Sequence, residues 1–142
     1  METSSEKTIL LVEDNEYDLF LTKRALADLG VAHRLVIASD GAEALKCLFD
    51  QIGDSHLRDS GLPDLVILDL KLPKIDGLKV LEKIRSNEKT RPLPVLVMTS
   101  SDEETDISAA RKLGATSYNI KPVDSGKFAR MIRQEVTKYL AG

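Results

Sequence analysis

Five short apolar runs recur along the chain, each stopped by polar residues: TILLVED (8–14), HRLVIAS (33–39), DLVILDL (64–70), LPVLVMTS (93–100) and ATSYNI (115–120). Runs of this length read as strands, and the unbroken VILDL and LPVLVM are typical of strands covered on both faces. Between the runs the apolar period changes to that of a helix. EYDLFLTKRALADLG carries Leu19, Ala25, Leu26 and Leu29 on one face, with Gly30 as its stop. SDGAEALKCLFDQI opens with Ser39 or Asp40 as a cap. DGLKVLEKIRSNE (76–88) follows the third strand, and DEETDISAARKLG (102–114) the fourth, with Asp102 as cap and Gly114 as stop. The last helix, DSGKFARMIRQEVTKYL (124–140), lines up Phe128, Ile132, Val136 and Tyr139 or Leu140. The polar stretch GDSHLRDSGLP (53–63) reads as the end of a long second helix plus a loop.

Strand and helix alternate five times. This predicts an α/β fold with a five-stranded parallel sheet and helices on both faces. Right-handed crossovers leave few topologies, and the doubly wound, flavodoxin-like order 2-1-3-4-5 is the natural one for five such units. Residues 1–7 read as a flexible lead and 8–142 as one domain, with no repeat, linker or appended output domain.

The 142 residues are enough for a core without disulfides or structural metal. A net charge of -3 argues against a protein that coats phosphate backbones, so direct DNA binding is not expected. The one cysteine, Cys47, lies in ALKCLF and reads as a buried thiol compatible with a reducing compartment. METSSEK has no apolar core for a signal peptide, and no run approaches the ~20 residues of a membrane span. These features predict a cytoplasmic protein without membrane contact.

Acidic residues at the strand ends change the picture. In such a sheet, ligands bind beyond the carboxyl ends of the strands, where the winding direction reverses between strands 1 and 3. Glu13 and Asp14 end the first strand and Asp69 lies at the end of the third. Carboxylates sharing one pocket repel one another, and a hard divalent cation such as Mg²⁺ resolves that conflict. The fourth strand ends in Thr99, Ser100 and Ser101, and the fifth in Lys121 and Pro122. A carboxylate nucleophile, a metal, a cation and a hydroxyl at one sheet edge are the parts for phosphoryl transfer onto an aspartate.

Over roughly residues 8–140 the chain resembles the receiver domain of two-component response regulators. The matching residues are the acidic pair in LLVEDN, Asp69 in ILDLKLPKIDG, Thr99 in VMTSS, Tyr118 in SYNIKP, and Lys121 with Pro122. Thr99 lies 30 positions after Asp69, and Lys121 lies 52 after it. The resemblance implies that Asp69 is the phosphoacceptor, charged from the phosphohistidine of a sensor histidine kinase. It implies Asp14 as a direct Mg²⁺ ligand, with Mn²⁺ as an alternative metal. Glu13 would bind the metal through water, beside Asp69 and the backbone carbonyl of Lys71. Lys121 would bind a phosphoryl oxygen, its bond to Pro122 being cis. Thr99 and Ser100 would meet the phosphoryl group and Tyr118 would follow inward, remodelling the surface of the fourth helix, fifth strand and fifth helix. The output would be altered protein contact: a downstream protein, a phosphorelay partner, or a homodimer through that surface. Glu13 stands where the family more often has aspartate, and 51–63 is longer than usual. The long segment is similar to that of the small regulators paired with phytochrome-type histidine kinases.

Plainer readings exist for each residue. Asp14 would suit a helix cap, Lys121–Asp69 a structural ion pair, Thr99 a strand terminator, Tyr118 packing, and Asp76–Gly77 merely the turn into the third helix. His33 and His56 read as surface histidines. Arg111, Lys112, Lys127, Arg130, Arg133 and Lys138 read as a solvated face or the border of a partner surface. A phosphate-independent scaffold is the main alternative function. A small Mg²⁺-dependent aspartyl-phosphate phosphatase leaves Asp69 unassigned. A nucleotide-binding module lacks the glycines that the first turn, VEDNEYD, would need. The leading reading is therefore a regulator that catalyses only its own phosphorylation and dephosphorylation, not an enzyme acting on outside substrates.

Overall fold

The order of the elements follows the apolar pattern. A computed structural model describes residues 6–49 and 61–140. The strands are β1 (Lys7–Val12), β2 (His33–Ala38), β3 (Leu65–Leu68), β4 (Val95–Thr99) and β5 (Ser117–Ile120). The helices are α1 (Glu16–Ala27), α2 (Gly41–Phe49), α3 (Gly77–Ser86), α4 (Glu104–Lys112) and α5 (Ser125–Leu140). All strand pairs are parallel, in the order β2-β1-β3-β4-β5. The strand already begins at Lys7, one residue inside the expected lead. The expected extension of the second helix and His56 lie outside the described residues.

Alternation along each strand sorts the core into two layers. Leu10, Val12, Val66, Leu68, Val95 and Val97 pack with Val80, Leu81 and Ile84 of α3. Ile9, Leu11, Ile67, Leu96 and Met98 face the other way, against Leu26 of α1 and Phe128, Ile132 and Val136 of α5. With both faces covered, every residue of β3 and β4 is buried, hence their continuous apolar runs. Cys47 is buried, and burial pushes its thiol pKa up.

Element ends differ from the sequence reading where side chains compete for the backbone. α1 is capped by Asn15, whose Oδ1 accepts from the Asp18 amide at 2.9 Å, so Asp14 is left free of capping. Asp40 caps α2, accepting from Glu43 N at 2.7 Å, while the Glu43 carboxylate reaches back to the Ser39 amide at 2.6 Å. Asp76 caps α3. The expectation for Asp102 is corrected: α4 begins one residue later, with Glu103 at its cap position and no side-chain cap. Ser101 takes over there, its Oγ accepting from Glu103 N at 3.3 Å. His33 is half-buried rather than a surface residue, and its Nδ1–H donates to the Val31 carbonyl at 2.8 Å.

Arg85, in the last turn of α3, fixes the entry to the strands that carry the site. Its guanidinium donates to the carbonyls of Gly114 (2.9 Å), Arg91 (2.8 Å) and Leu93 (2.7 Å). Three loop carbonyls leading into β4 and β5 are thereby satisfied by one side chain.

Candidate functional site

Register brings the acids together. Val12 pairs with Leu68, so the residues that follow, Glu13 and Asp69, leave adjacent strand ends. The Asp69 amide donates to the Val12 carbonyl at 3.1 Å and the Glu13 amide to the Ala38 carbonyl at 3.0 Å. Glu13, Asp14 and Asp69 each offer a carboxylate oxygen, and these oxygens all lie within 4.8 Å of one another. Glu13 and Asp69 are buried and Asp14 is exposed, so the cluster opens to solvent on the Asp14 side. Hard oxygen donors converging around an open side fit Mg²⁺ or Mn²⁺.

Lys121 closes the site from β5. Its amide donates to the Thr99 carbonyl at 2.7 Å, which anchors its main chain to the end of β4. Its ammonium donates to Glu13 Oε1 (2.9 Å), Asp69 Oδ2 (2.9 Å) and Asp18 Oδ2 (2.7 Å). Asp18 did not figure in the sequence reading. The available signal was its place in the first turn of α1, three residues after the cap, where the helix N-terminus abuts the sheet edge. The Lys121–Pro122 bond is trans, which corrects the expected cis form. Trans is favoured by about 0.5–1 kcal/mol at an ordinary X–Pro bond, and Lys121 reaches all three carboxylates from it.

The remaining residues form a second group beside the acids. Asp69 Oδ1 accepts from the Lys71 amide at 3.2 Å, which turns the chain out of β3. The exposed Lys71 ammonium lies 3.3 Å from Asp106 of α4. Asp106 also accepts from Ser101 Oγ at 2.6 Å, and the Tyr118 hydroxyl donates to the Ser101 carbonyl at 2.9 Å. Thr99 is fully buried, and Ser100 beside it is exposed. Lys71, Ser101, Asp106 and Tyr118 thus connect the loop after Asp69 to α4 and β5. In the sequence Ser101 stands out only as a residue at the end of the fourth strand, and nothing there singles out Asp106.

Electrostatics follow from burial and crowding. Desolvation pushes the Glu13 carboxyl up to about 7, with Asp69 adding repulsion and Lys121 pulling the other way. Burial alone would lower the Lys121 ammonium, but the hydrogen bond to Asp18 and the charges of Asp69 and Glu13 leave it raised overall. Asp106 is held below its ordinary value, chiefly by the Ser101 hydroxyl. Glu13 makes stability pH-dependent. Its folded pKa lies above the unfolded one, so its contribution is full below the ordinary 4.5 and is lost as pH rises through about 7. Asp40, Asp106 and Asp124 are lowered from 3.8 and change nothing across this window. Metal-free protein is therefore expected to melt higher at pH 5.5 than at pH 8. Mg²⁺ should narrow the difference by binding the ionised cluster. Thermal melts at the two pH values, with and without Mg²⁺, check this; equal metal-free melting points would contradict it.

Residues 9–133 match the response regulator receiver domain family. The chain belongs to that family. This receiver domain is 37% identical to a probable methanogenesis regulatory protein, FilR2, of Methanothrix harundinacea, covering all of this chain and 88% of that protein. It is 35% identical to the response regulator Rcp1 of Synechocystis sp., covering 93% of this chain and 88% of that protein. Among solved structures, the phosphorylated cyanobacterial phytochrome response regulator RcpA superposes with a TM-score of 0.88. It is 35% identical, with 96% of this chain and 95% of that one covered. A form of Rcp1 bound to Mn²⁺ gives a TM-score of 0.84 at 33% identity, covering 94% of each chain. The expected fold, strand order and two-component role stand. No helix among the described residues is long and apolar enough to cross a membrane.

Proposed function

We propose that Asp69 is the phosphoacceptor of this response regulator, with Lys121 and the Glu13–Asp14 pair as its charge partners. The observation that carries the reading is the convergence of Glu13, Asp14 and Asp69 around an open position, with the Lys121 ammonium 2.9 Å from Asp69. Glu13, Asp14, Asp69 and the Lys71 carbonyl would hold Mg²⁺, with Mn²⁺ as an alternative. Bound there, the metal neutralises charge on the transferring phosphoryl group.

The chemistry assigned to the chain's own residues is limited. An Asp69 carboxylate oxygen attacks the phosphorus of a phosphohistidine. An O–P bond forms, the N–P bond breaks, and the imidazole departs. Lys121 offsets the negative charge that accumulates, and the buried walls of β1 and β3 keep the carboxylate fixed. Hydrolysis later returns Asp69 and phosphate. No outside substrate is turned over.

Thr99 and Ser100 meet the new phosphoryl oxygens. Any shift of Thr99 draws on Ser101, which is tied at once to Tyr118 and Asp106. The charge change at Asp69 is thus passed to the surface of α4, β5 and α5, where a downstream protein, a relay partner or a second copy of the chain would respond. Likeness to RcpA and Rcp1 supports a phytochrome-type histidine kinase as donor, and a cytoplasmic site of action goes with that reading. Exposed Tyr17, Phe20, Ile120 and Val123 stand near Asp18 and Lys121 in the sequence and suit protein contact.

Intact-protein mass after incubation with Mg²⁺ and acetyl phosphate or phosphoramidate tests the proposal. Wild type is expected to gain one labile phosphoryl group, Asp69→Asn none, and chelation to abolish the gain. No gain in wild type with either donor, despite Mg²⁺ binding, would favour the phosphate-independent scaffold.

A further inference from the structure

Lys121 has three ammonium protons, and three carboxylates take them. Two of these, Glu13 and Asp69, belong to the cluster that fits a metal. The third, Asp18, does not, yet it makes the shortest of the three contacts at 2.7 Å. We propose that Asp18 is a positioning residue for phosphoryl transfer, anchoring the Lys121 ammonium by a carboxylate that the metal does not share. The proposal rests on Asp69 being the phosphoacceptor.

Once a divalent cation claims oxygens of Glu13 and Asp69, their pull on Lys121 falls. During transfer its acceptor at Asp69 also changes, from a carboxylate oxygen to a phosphoryl oxygen. A lysine on a flexible four-carbon stem would then be free to leave the reacting oxygens. Asp18 keeps its accepting oxygen for Lys121 throughout. It is only 22% exposed, against 4% for Glu13, so it is sheltered without being fully desolvated.

Asp18 is itself held firmly. Its amide donates to the Asn15 cap at 2.9 Å, and its carbonyl accepts from Thr22 Oγ1 at 2.8 Å. Ala25 and Leu26 bury the next turn of α1 in the core shared with α5. Lys121 is therefore fixed at both ends: its amide on the Thr99 carbonyl and its ammonium on Asp18. A cation fixed this way waits where charge develops and needs no reorganisation during transfer.

The test follows phosphoryl uptake from acetyl phosphate across donor concentrations, in wild type, Asp18→Ala and Asp18→Asn. Mg²⁺ affinity is measured by thermal-shift titration. Asp18→Ala is expected to lower the maximal rate ~10-fold, as loss of orientation does, with half-saturating donor and Mg²⁺ affinity within about 2-fold of wild type. Asp18→Asn, whose amide oxygen still accepts from Lys121, should recover most of the rate. An Ala variant as fast as wild type overturns the proposal. So does an Asn variant as slow as Ala, or a rate loss that tracks melting temperature or Mg²⁺ affinity.

Trace acetylation of Lys121, read by peptide mass, provides an arm that needs no phosphorylation. Lys121 should be protected in wild type and in Asp18→Asn and become several-fold more reactive in Asp18→Ala. Unchanged reactivity overturns the anchor. A wild type that takes up no phosphoryl group overturns the phosphoacceptor reading and the positioning role together, while the acetylation result still reports on the anchor, so the two failures are distinguishable.

Discussion

Lys121→Met should destabilise the metal-free protein by about 3–5 kcal/mol, the usual cost of removing one partner from a buried ionic cluster, and slow phosphoryl uptake ~100-fold. The lysine side chain is 7% exposed and touches three carboxylates, two of them nearly inaccessible to water. Methionine replaces the length of the stem but none of the charge. The orphaned carboxylates then face one another without a counter-ion, and protonation is their only relief. Since burial already pushes Glu13 up to about 7, the loss should be larger at pH 8 than at pH 5.5. Mg²⁺ should restore much of the stability, because a divalent cation replaces the missing charge. It should not restore the rate, since it does not supply the ammonium beside Asp69. Urea unfolding at both pH values, with and without Mg²⁺, separates the two effects. Wild-type stability in the metal-free variant would mean that Lys121 does not hold the cluster together. Glu13→Gln should move stability the other way at pH 8, because it removes a carboxylate from a group of acids that outnumbers its lysine.

The fold was legible because burial on both faces of a parallel sheet leaves a simple trace: continuous apolar strands separated by amphipathic helices. Glu13, Asp14, Asp69, Thr99 and Lys121 were legible for a related reason. The sheet order brings particular strand ends together, and charges there need an explanation. What escaped depended on side-chain reach and on close backbone approach. Asp18 looked like any acid in a first helical turn, where the macrodipole favours it. Only the path of Lys121 across the sheet edge gives it a partner. Ser101 displaced Asp102 at the start of α4 because its hydroxyl also meets Asp106. The trans bond before Pro122 was likewise outside the reach of spacing and pattern. Gly77 was underread most. The sequence shows it only as part of the turn into α3, yet it lies directly against the main chain of Asp69.

Gly77→Ala is therefore expected to destabilise the protein by about 3 kcal/mol, at the upper end of overpacking costs, and to weaken Mg²⁺ binding by at least ~10-fold. A Cβ at this position would run into the Asp69 carbonyl oxygen and lie 2.6 Å from Leu70 Cα. Both are backbone atoms, so no rotamer change relieves the clash. Gly77 also donates its amide to the Leu70 carbonyl at 2.9 Å, which draws the first turn of α3 onto this segment. The helix cannot easily retreat, because Val80, Leu81 and Ile84 are fully buried in the core. The movable part is the loop after Asp69, which carries Lys71, so the strain falls on the candidate metal site. Alanine's better helix propensity, worth ~1 kcal/mol at an open position, offsets only a fraction of this. Gly30→Ala is the useful contrast. Its Cβ would meet nothing within 4 Å, and only its φ of +74° resists a side chain. That change should cost about 1–2 kcal/mol and leave Mg²⁺ binding intact. Chemical denaturation and Mg²⁺ titration of both variants decide the matter. Wild-type metal affinity in Gly77→Ala would show that α3, not the Asp69 loop, gives way, and that the site tolerates the shift.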